Sequence, residues 1–234
     1  MPIEHDGWLA ERFGHPVWTV RGAASAEVRD HAAGHGGPAL YQAKVPAREI
    51  DTVLDLATAG LGVVNVSVVL ARAPGELEGV AADGVEVREL DPARDEGVLD
   101  VAAGAFSRSR FHLDPRIPGE VADSIKREWV RSYLRGTRGE TAYVAIEDGA
   151  LVGVLAVLVD GDARVIDLVG VAGAARSRGV GAALLGRFLG DSEGRCERVE
   201  VGTQAANEEA TRFYERAGFR TARSVYDLHR VDAG

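Results

Sequence analysis

Arg176, Arg178, Gly179 and Gly181 stand within six residues of one another, between an apolar run (165–171) and a stretch whose Val180, Leu184, Leu185 and Phe188 recur at helical spacing. The run reads as a strand and the stretch as a helix, so the glycines fall where the chain turns from one into the other. Such a turn aims backbone N–H groups and the positive end of a helix dipole at one anion. With no Cβ, Gly179 and Gly181 let a phosphate come close to the backbone, and the two arginines add full charges. The chemistry is that of a pyrophosphate cradle; the plain alternative is a tight turn with solvated arginines. Neither G-x-G-x-x-G nor a Lys-Ser/Thr after the last glycine is present, which excludes the common dinucleotide and P-loop patterns.

A second block follows another apolar strand (199–203). Asn207 suits a helix N-cap, and Glu208 and Glu209 suit the first turn. Ala210, Phe213, Tyr214 and Ala217 fall on one helical face, and Gly218 ends the helix with Phe219 packing back. Arg-x-x-Gly-x-Gly resembles the acyl-CoA pyrophosphate loop of the GNAT superfamily of N-acetyltransferases. The second block resembles that superfamily's Asn…Ala…Phe-Tyr-Glu-Arg-x-Gly-Phe signature. The resemblance covers about residues 85–231. It implies an α/β (α+β) GNAT acyl-CoA N-acyltransferase fold with a mixed, splayed central sheet, here preceded by a small α/β half-domain. It also implies acetyl-CoA, or another acyl-CoA, as co-substrate. The implied coenzyme-binding positions are Val169, Val171, Arg176, Arg178, Gly179, Val180, Gly181, Ala182, Asn207 and Tyr214, with the Val171 N–H donating to the oxyanion. By the same resemblance Tyr214 is the acid that protonates the departing thiolate; read from its spacing alone, it is a core aromatic beside Phe213.

The segment 107–115 is basic in an acidic chain. Its Ser109-Arg110-Phe111-x-x-Asp114-Pro115 resembles the acceptor loop of the dTDP-fucosamine acetyltransferase family, whose members acetylate the 4-amino group of a nucleotide-linked dideoxy sugar. Further similarities are Trp8…Phe13-Gly14-His15-Pro16-Val17, Thr203-Gln204-x-x-Asn207, and Tyr226-Asp227-Leu228-His229-Arg230 against the family's Tyr-Trp-Leu-x-Arg. Ala10-Glu11-Arg12 departs from the family's Asp-Ser-Glu. Acceptor-binding candidates are therefore Arg108, Arg110, Phe111, His112, Trp129 and Gln204. Arginines fork phosphate oxygens, so Arg108, Arg110 and His112 suit an anionic acceptor, or else form a solvated loop bridged to Asp114. Trp129 either stacks on the acceptor or packs in the core.

The proton acceptor is less legible. Asp167 projects on the same side of its strand as Val169 and Val171, as a water-linked base, an acceptor hook or a structural hydrogen-bond partner. His112 and Glu147 are weaker candidates. Cys196 lies before a strand, away from both blocks, which speaks against an acyl-cysteine route, and no His/Cys/Asp spacing suggests a metal.

These residues need a scaffold. The chain has 234 residues, 46% hydrophobic and 27% charged, with a net charge of −9; this suits a globular protein and disfavours nucleic acid or an anionic membrane as partner. One cysteine and no bilayer-length apolar run point to the cytoplasm. The expected partner is a small-molecule amine, a dTDP-amino sugar being one such acceptor, and a homodimer is compatible with this reading. Residues 1–84 are expected to form the half-domain, which extends the sheet or shapes the acceptor side, and 85–234 the acetyltransferase domain. In the first, strands are predicted at 17–20, 39–45 and 63–70, a loop at 24–37 and a helix at 47–57. In the second, strands are predicted at 85–90, 141–146, 151–159 and 224–231, besides those flanking the two blocks. Helices are predicted at 91–106, with Asp91 as N-cap, and at 120–135.

Overall fold

A computed structural model describes residues 2–77, 82, 84–105 and 109–233. The second half lays down β5 (Val85–Glu89), α4 (Val98–Ala105), α5 (Arg110–Leu113), α6 (Gly119–Leu134), β6 (Thr141–Glu147), β7 (Ala150–Asp160), β8 (Ala163–Val171), α7 (Val180–Ser192), β9 (Arg198–Gln204), α8 (Glu208–Arg216) and β10 (Arg220–Asp232). The first half contributes β1 (Ile3–His5), α1 (Gly7–Phe13), β2 (Val17–Val20), α2 (Ser25–His35), β3 (Ala39–Pro46), α3 (Ile50–Thr58) and β4 (Gly62–Arg72). One ten-stranded sheet joins them in the order β1-β2-β3-β10-β4-β9-β8-β7-β6-β5. The last strand, β10, lies antiparallel between β3 and β4, and β4 stands between β10 and β9. Among the described residues, no helix is long and apolar enough to cross a membrane.

Local physics accounts for most boundaries. The β6–β7 hairpin turns through Asp148 and Gly149, both at positive φ (50° and 77°), as a two-residue Asp-Gly loop requires. Asn207 caps α8 by accepting from the Ala210 N–H, and Gly218 sits at φ +84° just past its end. Two expectations fail for identifiable reasons. Residues 24–37 are helical rather than a loop: Glu27 Oε2 accepts the Ala24 N–H (2.8 Å), Val28 and Ala32 bury one narrow stripe, and Gly36 closes the helix at φ +64°. A stripe that thin gives little periodic signal. The helix expected from Asp91 begins only at Val98, because Asp95 is drawn inward. Its buried carboxylate takes two hydrogen bonds from Arg88 (2.6 and 2.7 Å) and one from the Asp91 N–H (2.7 Å), which holds residues 91–97 in turns. Phe106, the expected end of that helix, lies outside the described residues. The helix expected at 47–57 starts at Ile50.

β8 pairs in parallel with β9 only from Ala163↔Arg198 to Ile166↔Val201; beyond that the strands part. α7 packs across β7 through Leu184, Phe188 and Val180. The approach is close enough that a Cβ on Gly153 would stand 2.9 Å from both Leu184 and Val180.

β10 is tied to the segment before α6 by a buried Asp114–His229 pair that an exposed Arg116 caps. His229 Nδ1 lies 3.0 Å from Asp114 Oδ2, Arg116 donates to both oxygens of Asp114 (2.8 Å each), and the His229 ring stacks on Phe111 at 5.7 Å. Burial, with like charge from Arg110, lowers the His229 pKa from 6.5 to about 4, against the pull of Asp114. His229 is thus neutral in the fold and donates from Nδ1 to Asp114. The unfolded chain takes up this proton first, so stability is complete above pH 6.5 and falls as pH drops from 6.5 towards 4, by up to about 3 kcal/mol. Urea titrations at pH 4, 5.5 and 7 check this: the slope across that window should largely vanish in His229→Gln.

Candidate active site

Where β8 leaves β9, a cleft of about 720 Å³ opens, bounded by 166–171 of β8, 201–204 of β9, the 175–182 turn, and Asn207, Phe213 and Tyr214 of α8. The parted strands leave facing backbone groups outside the sheet's own ladder, and buried backbone N–H and C=O groups need partners. A ligand with amides along its length can take that place. At one end the turn is curled by two positive-φ residues, Ser177 (61°) and Gly179 (86°), the latter being the N-cap of α7. A Cβ on Gly181 would point at Phe213 (3.7 Å). Arg176 stands at the cleft, its Nε 3.3 Å from the Val171 carbonyl oxygen. Arg178 turns away to Glu147 (2.7 Å) and does not line the cleft. Val169, Val171, Val180, Ala182 and Asn207 do line it.

Tyr214 is 3% exposed, packed between Phe213 and Phe219 (5.1 and 5.6 Å) and part of the cleft wall. Among the described residues its hydroxyl has no hydrogen-bond partner, and burial raises its pKa. It is a phenol that keeps its proton.

The acceptor candidates separate. Arg108 lies outside the described residues. Arg110 reaches inward to Gln42 Oε1 on β3 (2.9 Å). Phe111, at 1% exposure, is core packing with Ile125 and Leu40 and has no surface to offer a substrate. The His112 ring is held at both nitrogens, by Ser109 Oγ (2.7 Å) and Asp123 (3.0 Å). Trp129 donates from Nε1 to Asp167 (2.6 Å), so its ring is fixed in the framework rather than presented to a ligand. Gln204 lines the cleft.

Asp167 differs most from a free base. Its carboxylate accepts from Trp129, from the Tyr133 hydroxyl (2.8 Å) and from Arg138 twice (2.7 and 3.1 Å). Its lone pairs are filled and its charge is paired, so it acts as a clamp holding β8 against α6. Gly139 (φ +73°) makes room for the clamp, since a Cβ there would fall 2.6 Å from the Val157 carbonyl oxygen and into the Tyr133 ring.

Two residues that the sequence reading passed over complete the picture: Lys126 of α6, which lines the cleft, and Lys44 of β3. Lys44 is solvent-exposed, yet the surrounding protein and the Arg110 charge hold its pKa below the ordinary lysine value. An exposed but poorly hydrated ammonium stands in a recess. Lys44, Arg110 and Lys126 interact electrostatically with one another there, with Asp227 the nearby unpaired carboxylate. Asp227 is 1% exposed; Oδ2 accepts from Asn65 (2.6 Å) and Ser67 (2.5 Å), and Oδ1 has no partner. The available sequence signal was strand alternation: Gln42 and Lys44 face opposite to Tyr41, Ala43 and Val45.

Residues 108–219 match the model of the Acetyltransferase (GNAT) family. Over 145 residues the chain is 32% identical to the spore coat polysaccharide biosynthesis protein SpsD of Bacillus subtilis (strain 168); the match spans 62% of this chain and half (50%) of that protein's length. Solved structures with a similar fold include GCN5-related N-acetyltransferases from Sphaerobacter thermophilus and Kribbella flavida. The former has TM-score 0.63 and 19% identity, over 98% of this chain and 76% of that one. The latter has TM-score 0.64 and 17% identity, over 100% and 87%. A tandem GNAT protein from the clavulanic acid biosynthesis pathway matches at TM-score 0.63 and 18% identity, over 93% and 76%. The chain therefore has the GNAT fold, a mixed α/β sheet with an extra N-terminal half-domain, and the family implies an acyl-CoA co-substrate. The parted strands and the turn with Ser177 and Gly179 at positive φ fit such a molecule.

A side chain at Gly179 would strain the positive φ (86°) at the N-cap of α7, on the wall of the cleft. Gly179→Val is expected to weaken acetyl-CoA binding at least ten-fold by calorimetry, with a melting temperature that falls far less than loss of the fold would require.

Proposed function

We propose that this protein moves the acetyl group of acetyl-CoA to the amine of a small anionic acceptor of the nucleotide-linked amino-sugar class. The observation that carries this reading is one cleft with a glycine turn at the start of α7, for the coenzyme's phosphates, and Lys126 on its wall, where the charges of Arg110 and Lys44 also act, for the acceptor. The pantetheine arm runs between β8 and β9, the Val171 N–H donates to the developing oxyanion, and Tyr214 protonates the departing thiolate. Asn207 both caps α8 and faces the coenzyme. Residues 1–84 form the half-domain that walls the acceptor side, through Gln42 and Lys44, while 85–234 form the acetyltransferase domain. The likeness to a polysaccharide biosynthesis protein supports a sugar over an amino acid or another amine. Thiol release from acetyl-CoA against a panel of amines, with and without a nucleoside diphosphate, tests the proposal; turnover confined to uncharged amines would overturn the acceptor class.

Two substitutions separate the roles. Tyr214→Phe keeps the packed ring and removes only the proton donor, so acetyl-CoA affinity should hold while kcat falls roughly 10²–10⁴-fold. Arg110→Ala removes charge-assisted bonds of roughly 1.5–3 kcal/mol, so the acceptor KM should rise about ten-fold or more in steady-state assays, with the KM for acetyl-CoA unchanged.

A further inference from the structure

The chain has 27 basic residues, and only two of them, Lys44 and Lys126, are lysines. Both lysines nevertheless stand in one recess, close enough to interact. Arginine stays charged at any pH a protein meets, whereas a lysine in poorly hydrated, like-charged surroundings gives up its proton. Two lysines kept at this one place, in a chain that otherwise uses arginine, mark a function that a permanent cation cannot perform.

Only Lys126 lines the acyl cleft. Its ammonium lies 4.2 Å from the Trp129 ring centroid, beside the Asp167 clamp. The groups that act on its charge include Arg110 of α5, Lys44 of β3, Arg138 after α6, and Asp167 of β8, which also holds Arg138. The other acidic or basic groups at the cleft are placed for other work. Asp167 has four donors on its carboxylate. Glu209 is exposed in the first turn of α8. Arg176 and Arg216 cannot release a proton.

We propose that Lys126 is the base of the reaction, taking the proton from the acceptor amine as that amine attacks the thioester carbonyl. This rests on the acetyl-transfer reading above. The amine nitrogen forms its bond to the acetyl carbon and the carbon–sulfur bond breaks. The proton lost by nitrogen goes to the Lys126 amine, the thiolate takes the Tyr214 proton, and Lys126 and Tyr214 return to their starting states through solvent. The balance is amine plus acetyl-CoA giving amide plus coenzyme A. Burial chiefly, then the Arg110 charge, lowers the Lys126 pKa from 10.5 to about 8, so a usable fraction is free base near neutrality.

The small number of lysines makes the test direct. Reductive ¹³C-methylation places label on Lys44, Lys126 and the N-terminal amine alone, and a Lys44→Arg sample assigns the signals. The Lys126 signal should titrate with a midpoint near 8; a midpoint near the ordinary 10.5 overturns the proposal. With dTDP-4-amino-4,6-dideoxygalactose as probe acceptor, Lys126→Arg should bind acetyl-CoA within two-fold of wild type. It should lose roughly 10²–10⁴-fold in kcat, as should Lys126→Gln. The rise of kcat with pH through about 8 should disappear in both variants. Wild-type turnover in Lys126→Arg, or the same pH rise persisting there, overturns the base assignment and leaves acetyl transfer standing. Acetyl-CoA binding without wild-type turnover on any amine of the panel instead strikes the acetyl-transfer reading itself, and the base assignment with it.

Discussion

Everything in the second half of the molecule answers to one departure from regular pairing, the separation of β8 from β9 after Ile166 and Val201. Parallel strands that stop pairing mid-sheet leave each with one unpaired edge, and that costs free energy unless something else supplies the partners. Each strand is held from its other side: β8 by β7 up to Val171, and β9 by β4 up to Gln204. The Asp167 clamp fixes β8 against α6 at the point of divergence. The cleft is therefore built into the sheet.

The first half supplies what the divergence needs. β4 braces the free run of β9, and β10 passes on to pair with β3. This brings a polar strand face, Gln42 and Lys44 with Asn65, Ser67 and Asp227, up to α5 and α6. Both halves thus contribute side chains to one recess, and its excess positive charge is tolerable only because water or an anion can reach it. On the opposite face Tyr41, Ala43, Val45 and Leu228 form the packed core with α2 and α3.

Much of this was legible from the chain alone, and the reason is range. The glycine turn, the Asn207 cap, the Gly218 stop and the Asp148-Gly149 hairpin are each decided within about five residues, where steric and hydrogen-bond rules act directly. The GNAT fold followed from two such local blocks in the right order. The helix at Ser25–His35 was missed because its buried stripe is only two residues wide, and the late start of α4 because Asp95 answers to Arg88 across a strand rather than to its own neighbours.

Residue types and spacing by themselves determined the glycine turn before α7, the placement of Tyr214 on an apolar helical face, and the strand–turn–helix frame around both. Tertiary structure decided what the polar residues do. It made Asp167 a clamp, since Trp129, Tyr133 and Arg138 converge on it from 29 to 38 positions away. It buried Phe111 beneath His229 and paired Asp227 with Asn65 across 162 positions. It also brought the two lysines into one recess. A carboxylate or an amine has no intrinsic role; its hydration, its neighbours' charges and its hydrogen bonds set one, and those are supplied by segments that meet only in the folded chain.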